Sequence, residues 1–510
     1  MSGAELRETH VGIVVLIGDR AYKMKKPVRT GFLDFSTLEL RREALRRELE
    51  LNRRLSPDVY LGISDVSAAR PDGEPAEVAE HLLVMRRMPA DRRLATLLAT
   101  GEDISGPLRD LARLVARFHA GAERGPAVNA QGTREALRNR WQDNVVETRA
   151  ILGAPLDDAA IEHIERLAMR FVDGRGPLFD RRIADDRIVD GHGDLIADDV
   201  FLLDDGPRVL DCLEFDDRLR YLDALDDVAF LAMDLERLGA PHRAAEFLDA
   251  YVAFSGDPAP SALRHHYTAY RAFVRAKVAC LRHAQGDAAA AAAAVEYAEV
   301  ARRHLERGAV RLALVGGLPG TGKTTVAGGL ADRFGAVVLS SDRIRKELAG
   351  IDPTARAGAA YREGLYRAEH TEALYRELLD RAGELLARGE SVILDASWTS
   401  ALHRQEAEKL AKDTHSELIQ LECRTSTEVA AQRLRSRPVG SSDATAQIAA
   451  QMAVAADEWP DAVILSTSGT VEESLRHATS VWQAATHEGF DRQATGERRG
   501  GASLHSGNGT

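Results

Sequence analysis

Cysteine is scarce in this chain of 510 residues: there are 3 (Cys212, Cys280 and Cys423), odd in number and far apart. That spacing offers neither a disulfide framework nor a zinc knuckle, and it suits a reducing compartment. Aromatic residues make up only 5% of the chain. No apolar run approaches the roughly 20 residues of a membrane span, so no membrane partner is expected. Positive charge is also short, with 67 Lys and Arg against 79 Asp and Glu and a net charge of −12. A general nucleic-acid binder needs a basic surface to displace counterions, so nucleic acid is not expected as a partner. The opening residues MSGAELRETH lack a basic segment followed by an apolar one, which leads to the expectation of a cytoplasmic protein. What is present is a globular balance of 45% hydrophobic and 29% charged residues, which excludes a largely disordered chain.

At roughly 150 residues per domain the length suits about three domains, or two of which one is bilobal. Residues 8–27 alternate as two short strands around Gly18-Asp19, a hairpin pattern. The alanine run at 286–307 predicts a helix ending at Gly308, and RLALVGG directly after it predicts a buried parallel strand. These features place a domain boundary at 308, giving domains 1–308 and 309–486. The Gly- and Ser-rich residues 487–510 are expected to form a disordered tail. No sequence feature specifies an oligomeric state.

The segment Gly317-Leu-Pro-Gly320-Thr321-Gly322-Lys323-Thr324-Thr325 fits the G-x-x-x-x-G-K-[ST] phosphate loop, between a predicted strand and a predicted helix. Glycines let backbone N–H groups face phosphates at a helix N-terminus, Lys323 can reach the β- and γ-phosphates, and Thr324 can hold Mg²⁺. Asp342 stands where AVVLSS runs into the helix DRIRKEL, a strand-end position suited to a general base for an attacking hydroxyl. Arg345, one helical turn on, can hold an anionic group. The strand SVILD ends in Asp395, suited to face Mg²⁺ or its waters. Arg433 and Arg437 lie at i, i+4 and could close over transferring phosphates as a lid. Through GLPGTGKTT, SSDRIRK, VILDAS and this arginine pair, residues 310–485 resemble the P-loop kinases related to polynucleotide kinase, zeta toxin and gluconate kinase. The resemblance implies a five-stranded parallel sheet, ATP with Mg²⁺, and transfer to the hydroxyl of a small acceptor.

The first half carries a second phosphoryl-transfer pattern. Lys23 and Lys25 share one face of a strand, and Glu48 lies on the helix that follows, as when a strand lysine pairs with a helix glutamate to anchor phosphates. His192-Gly-Asp194-Leu-Ile196-Ala-Asp198-Asp199 is followed by VLDCLEFDD, which places Asp194 as a base and Asp211 as a metal ligand. The string resembles the aminoglycoside phosphotransferase family, with H-G-D-L intact. Ile196 stands at that family's second histidine and Asp199 at its metal-binding asparagine, where a carboxylate still offers oxygen to Mg²⁺. Gly18 is the one glycine at the strand turn expected over the nucleotide. HHYTAYRAFVRAKVACLRH brings Arg271, Arg275 and Arg282 near one helix face, either as a cationic lining or as partners for the DALDD acids.

Taken together, the two halves resemble the bifunctional aminoglycoside phosphotransferase/ATP-binding proteins. The expected fold is an α+β kinase-like bilobal domain followed by an α/β P-loop domain with a five-stranded parallel sheet. The expected activity is an ATP-dependent phosphotransferase whose first domain is a second or a degenerate site. The alternatives are an ATP-hydrolysing regulator and a toxin-like nucleotide-sugar kinase.

Overall fold

Gly18 and Asp19 turn the chain back on itself, with Gly18 at a φ of +57° that suits a tight hairpin. The strands they join, β2 (Gly12–Ile17) and β3 (Arg20–Lys25), pair from Ile17↔Arg20 to Gly12↔Lys25. The computed structural model describes residues 4–8, 12–29, 34–67, 77–352, 367–436 and 446–494. Two units divide between Gly308 and Ala309.

The first unit opens with an antiparallel sheet ordered β1-β2-β3-β5-β4, where β1 is Glu5–Glu8, β4 Tyr60–Ser67 and β5 Val78–Arg86. Strand β1 was not expected. Its four residues ELRE are all exposed and carry no alternating apolar pattern, so it is held by the backbone ladder to β2. The helix Leu38–Arg53, capped by Thr37, buries Leu45 and Glu48 against the sheet. Leu45, Val59, Tyr60, Leu83 and Phe201 form the core there.

Two short pairs then carry the chemistry-bearing loops. Strand β6 (Ile188–Asp190) pairs with β9 (Tyr221–Asp223), and β7 (Val200–Leu203) with β8 (Gly206–Val209). His192–Asp199 fill the β6–β7 connection, and Asp211–Glu214 follow β8. Behind them stands the helix Ala224–Arg237, capped by Asp223 and buried from Ala224 to Leu235. The helix Ser261–Ala284 follows, where Tyr270 and Phe273 pack on Trp141 at ring separations of 5.3 and 5.6 Å. The alanine-rich helix is Ala290–Arg307, with Gly308 as its C-cap.

The Asp227 carboxylate ties these pieces together. It accepts the backbone N–H of His192 at 2.7 Å, that of Gly193 at 2.9 Å and His119 Nε2 at 3.0 Å. Burial alone would raise its pKa. The His119 and His192 hydrogen bonds outweigh burial and hold the carboxylate well below its ordinary range.

In the second unit, β10 (Arg311–Gly316) is buried along its whole length. It sits mid-sheet in the order β11-β12-β10-β13-β14, and all four pairings are parallel. The flanking strands are β11 (Val337–Ser340), β12 (Val392–Asp395), β13 (Glu417–Arg424) and β14 (Val463–Ser466). Ala313, Val315, Ile393, Leu421 and Leu465 fill the core, and Phe334 stacks on Trp482 at 4.9 Å. The last helix runs Val471–Ala494, past the point at 487 where the tail was expected to begin. Ala485, Glu488, Arg492, Gln493 and Ala494 are good helix formers, so local propensity extends the turn pattern despite Gly489. The rest of the tail, 495–510, lies outside the described residues.

Asp227→Asn is expected to destabilise the first unit by about 3–5 kcal/mol, because one carbonyl oxygen cannot serve three buried donors. In the native chain the Asp227 contribution is complete above the ordinary carboxylate pKa of about 4. It is lost as the pH falls below that value, because the folded-state pKa is the depressed one. Urea denaturation from pH 7 to pH 3 measures both: the native chain should lose stability toward acid with a steeper slope than the asparagine variant.

Candidate active sites

The phosphate loop leaves the C-terminal end of the central strand β10 and enters the helix Lys323–Phe334. Sterics shape it. Gly317 (φ +130°) lies so close to the Cys423 carbonyl that a Cβ would collide with it. At Gly320 (φ +83°) a Cβ would sit 2.7 Å from the Ala430 carbonyl, and Gly322 has a φ of +91°. Thr321 is buried. Its hydroxyl donates to the Leu318 carbonyl at 2.8 Å, and its own carbonyl accepts from Thr467 Oγ1 at 2.7 Å. Gly317 and Thr321 were expected to touch nucleotide. Both are packed against the rest of the unit through these contacts, and the cavity described next is lined by their neighbours in the loop.

Gly320, Gly322, Lys323, Thr324 and Thr325 line a cavity of about 1120 Å³. Asp342, Arg345, Asp395 and Arg433 line the same cavity. Lys323 Nζ rests 3.2 Å from the Leu318 carbonyl, and Thr324 Oγ1 donates to Asp395 Oδ2 at 2.8 Å. Asp395 ends β12, which lies beside β10 in the sheet, so the strand order delivers the threonine–carboxylate pair. Asp342 and Arg345 come from the helix Ser341–Leu348 after β11. Arg433, on the helix Thr427–Ser436, donates to the Thr467 carbonyl at 2.6 Å beside Gly322. Arg437 lies outside the described residues.

The glycine cradle, the lysine and the hydroxyl–carboxylate pair fit a triphosphate with Mg²⁺. Thr324 and Asp395 are the residues that would hold the metal or its waters. Burial pushes the Cys423 thiol up to about 12, so this cysteine beside the loop stays protonated and inert.

Sequence reasoning missed the far wall of this cavity. His403 Nε2 lies 3.2 Å from Glu372 Oε1, and its ring stacks on Tyr375 at 3.9 Å. Tyr375 Oη in turn reaches Ser397 Oγ at 3.3 Å. These residues come from two helices and a loop, and no local pattern links positions 31 apart. Trp459 presses so close to the loop's approach that a Cβ on Gly316 would overlap its ring. Trp398, just after Asp395, is buried with a φ of +54°.

In the first unit a cavity of about 840 Å³ is lined by Lys23, Lys25, Asp199, Asp211 and Glu214, with Leu16, Met85, Phe201 and Leu210 as apolar walls. Both lysines reach Glu48: Lys23 at 2.7 Å on one oxygen and Lys25 at 2.7 Å on the other. Lys23 also contacts Asp211 at 2.8 Å, and Lys25 contacts Glu214 at 2.7 Å. Glu214 was not anticipated, since its partner lies 189 positions away. Desolvation works against charge on Lys23, yet Asp211 and Glu48 hold its pKa well above the ordinary lysine value. Lys23 in turn holds the Asp211 carboxyl below its usual range.

Asp199 behaves differently. Desolvation, reinforced by Asp211 and Asp194, pushes it well above the carboxylate range. Desolvation raises Asp194 as well, against the pull of Arg275. Asp194 does not line the nucleotide-sized cavity. Among the described residues no group of three His, Cys, Asp or Glu is placed to hold a metal ion. A cation here would rest on Asp211 and Asp199 together with phosphate oxygens and water. Of the basic helix face, Arg271 binds Asp226 at 2.7 and 2.9 Å and Arg282 binds Asp287 at 2.5 Å.

The AAA domain family profile matches residues 312–457. The Mycobacterium tuberculosis protein Rv2004c is 45% identical over 481 residues, which cover 94% of this chain and 96% of that one. Among solved structures, a gluconokinase from Sinorhizobium meliloti is 17% identical with a TM-score of 0.27, covering 36% of this chain and 97% of its own. A wild-type aminoglycoside 2'-phosphotransferase-IIIa is 16% identical with a TM-score of 0.36, covering 60% of this chain and 92% of its own. The second unit thus carries its phosphate loop, within the segment that the AAA domain profile matches, on a five-stranded parallel sheet. The chain belongs to the family of the mycobacterial Rv2004c protein. Among the described residues no helix is long and apolar enough to cross a membrane.

Nucleotide binding in the first unit should depend steeply on Mg²⁺, because without metal Asp194, Asp199 and Asp211 crowd together and repel a triphosphate. Calorimetric titration of ATP into the full chain carrying Lys323→Ala and Thr324→Ala measures this. Affinity should rise by about tenfold or more with Mg²⁺ and fall with Asp211→Ala; metal-independent binding that ignores Asp211→Ala would reassign the cleft.

Proposed function

We propose that the chain is an ATP-dependent phosphotransferase. Its P-loop unit moves the γ-phosphoryl group to a hydroxyl of a small sugar- or nucleotide-like acceptor, and its first unit is a second phosphotransferase site. The observation carrying this reading is that Asp342 and Arg345 line one cavity with Lys323, Thr324 and Asp395. A switch that merely hydrolyses ATP needs a water-positioning group and little room beyond the phosphates. Here the cavity continues past Asp342 to Glu372, Tyr375, Ser397 and His403, a wall of hydrogen-bonding groups fit for a hydroxylated molecule.

In this reading Lys323 exchanges its Leu318 carbonyl contact for phosphate oxygens. Asp342 accepts the proton of the attacking hydroxyl on a carboxylate oxygen. Arg433, held beside Gly322 by the Thr467 carbonyl, meets charge that develops on the transferring group. When bound, Mg²⁺ supplies charge compensation between the phosphates. The double lysine–glutamate contact and the Lys23–Asp211 pair support the reading of a second site in the first unit, since they bring the anchoring groups together.

ATP consumption screened across sugars, nucleosides and aminoglycosides, with each site disabled in turn, tests the assignment. Asp342→Asn should lower acceptor phosphorylation roughly 10²–10⁴-fold while ATP affinity changes only a few-fold. Lys323→Ala should remove turnover at this site altogether. If Asp342→Asn abolishes ATP affinity and leaves residual transfer normal, Asp342 is a nucleotide ligand and the base lies elsewhere.

A further inference from the structure

Five carboxylates packed around the first unit's catalytic loop are engaged within the protein. Asp226 receives both prongs of Arg271, and Asp227 receives the loop N–H groups and His119. Asp234 receives Ala197 N and Arg237, each at 3.0 Å. Asp223 receives Arg182 at 2.6 and 2.7 Å, and Asp190 receives Arg220 at 2.8 Å. None of the five is left to receive an ammonium group from a ligand without breaking a buried pair, a loss of several kcal/mol in general.

The cations are disposed the other way. On the helix Ser261–Ala284, Lys277 is taken by Glu147 and Arg282 by Asp287. Arg275 has no carboxylate within ion-pair distance among the described residues. Its side chain lies near Tyr297, and its field falls on the base, Asp194. From the neighbouring helix Arg134–Arg149, Arg140 adds a second guanidinium whose field reaches Asp226 and Tyr270. Arg140 Nε is buried without a hydrogen-bond partner. A buried, unanswered N–H of arginine calls for an acceptor oxygen, and the planar guanidinium fork matches carboxylate or phosphate.

We propose that the first unit phosphorylates a hydroxyl on a small anionic compound whose carboxylate or phosphate is held by Arg275, with Arg140 adding to the positive field, and that polycationic aminoglycosides are not its acceptors. The proposal rests on the reading that this unit transfers phosphate. In the step, the acceptor oxygen bonds to the γ-phosphorus of ATP as the bond from that phosphorus to the β-bridging oxygen breaks. The hydroxyl proton goes to Asp194, and ADP leaves with the electron pair of the broken bond. Arg275 follows by one helical turn Arg271, whose Nη1 donates to the Gly193 carbonyl at 3.4 Å, so it shares the helix face turned to the Asp194 loop, and it is not among the residues lining the nucleotide-sized cavity.

The test uses the full chain with Lys323→Ala, so that only the first unit turns over. ADP release from Mg-ATP is followed with glycerate, glycerol 2-phosphate, glycerol and kanamycin, and the Asp194→Asn background is subtracted. Glycerate or glycerol 2-phosphate should stimulate turnover at least tenfold more than glycerol or kanamycin, and the better of the two identifies carboxylate or phosphate as the group read. Arg275→Gln should raise KM for that compound by roughly 10–100-fold, the weight of a charge-assisted contact, and more than it lowers kcat. Arg275→Lys should recover part of the loss, and circular dichroism checks that both variants fold. Asp194-dependent turnover that prefers kanamycin or glycerol, or a KM unmoved by Arg275→Gln, overturns the anionic acceptor and leaves transfer standing. No Asp194-dependent stimulation by any of the four, with Mg-ATP still bound, overturns transfer by this unit and the proposal with it.

Discussion

A single carboxylate organises the first unit. Asp227 projects from a helix buried nearly throughout and accepts two backbone N–H groups of the His192-Gly193 turn, plus His119. Placing a charge in that interior is costly unless every lone pair is used, so the loop has little freedom to sit elsewhere. Asp194 inherits its position from this constraint. So does Arg271, which pairs with Asp226 one residue before and reaches the Gly193 carbonyl at 3.4 Å. The same helix fixes the loop, and through Asp226 it fixes the helix that bears Arg275.

The second unit solves its positioning problem with backbone sterics. Carbonyls of Cys423 and Ala430 approach the loop so closely that only glycine fits at 317 and 320. The loop is thus shaped from β13 and the helix after it, before any phosphate arrives. Parallel pairing of β10 with β12 then sets Asp395 against Thr324. The loop and the Asp395 carboxylate are positioned by separate means, one by exclusion of side chains and the other by strand register.

Much of this was legible in the sequence where chemistry is written locally. The G-x-x-x-x-G-K-T string, the strand-end Asp342 and Asp395, and the His192-Gly-Asp194 turn each carry their own context. The parallel five-stranded sheet was implied by the resemblance to the P-loop kinases, while the apolar run RLALVGG by itself marked its buried central strand. What stayed hidden depends on long-range pairing. Glu214 acquires a role only through Lys25, and Glu372 and His403 only by meeting across a helix pair. Strand β1 has no pattern because all its side chains face solvent. The packing of Gly317 against the Cys423 carbonyl and of Thr321 against Thr467 also depends on residues far along the chain, so the motif alone did not show it.

The placement of the 4 tryptophans gives each unit its own optical signature. Trp398 lies three residues after Asp395, Trp459 lies on Gly316, and Trp482 stacks on Phe334, so three emitters belong to the second unit. Trp141 is alone in the first, in edge contact with Tyr270 on the helix that bears Arg275. Emission from the whole chain is therefore weighted toward the P-loop unit. A Trp141→Phe chain would report on that unit alone, and the difference spectrum would isolate events around Trp141 in the first.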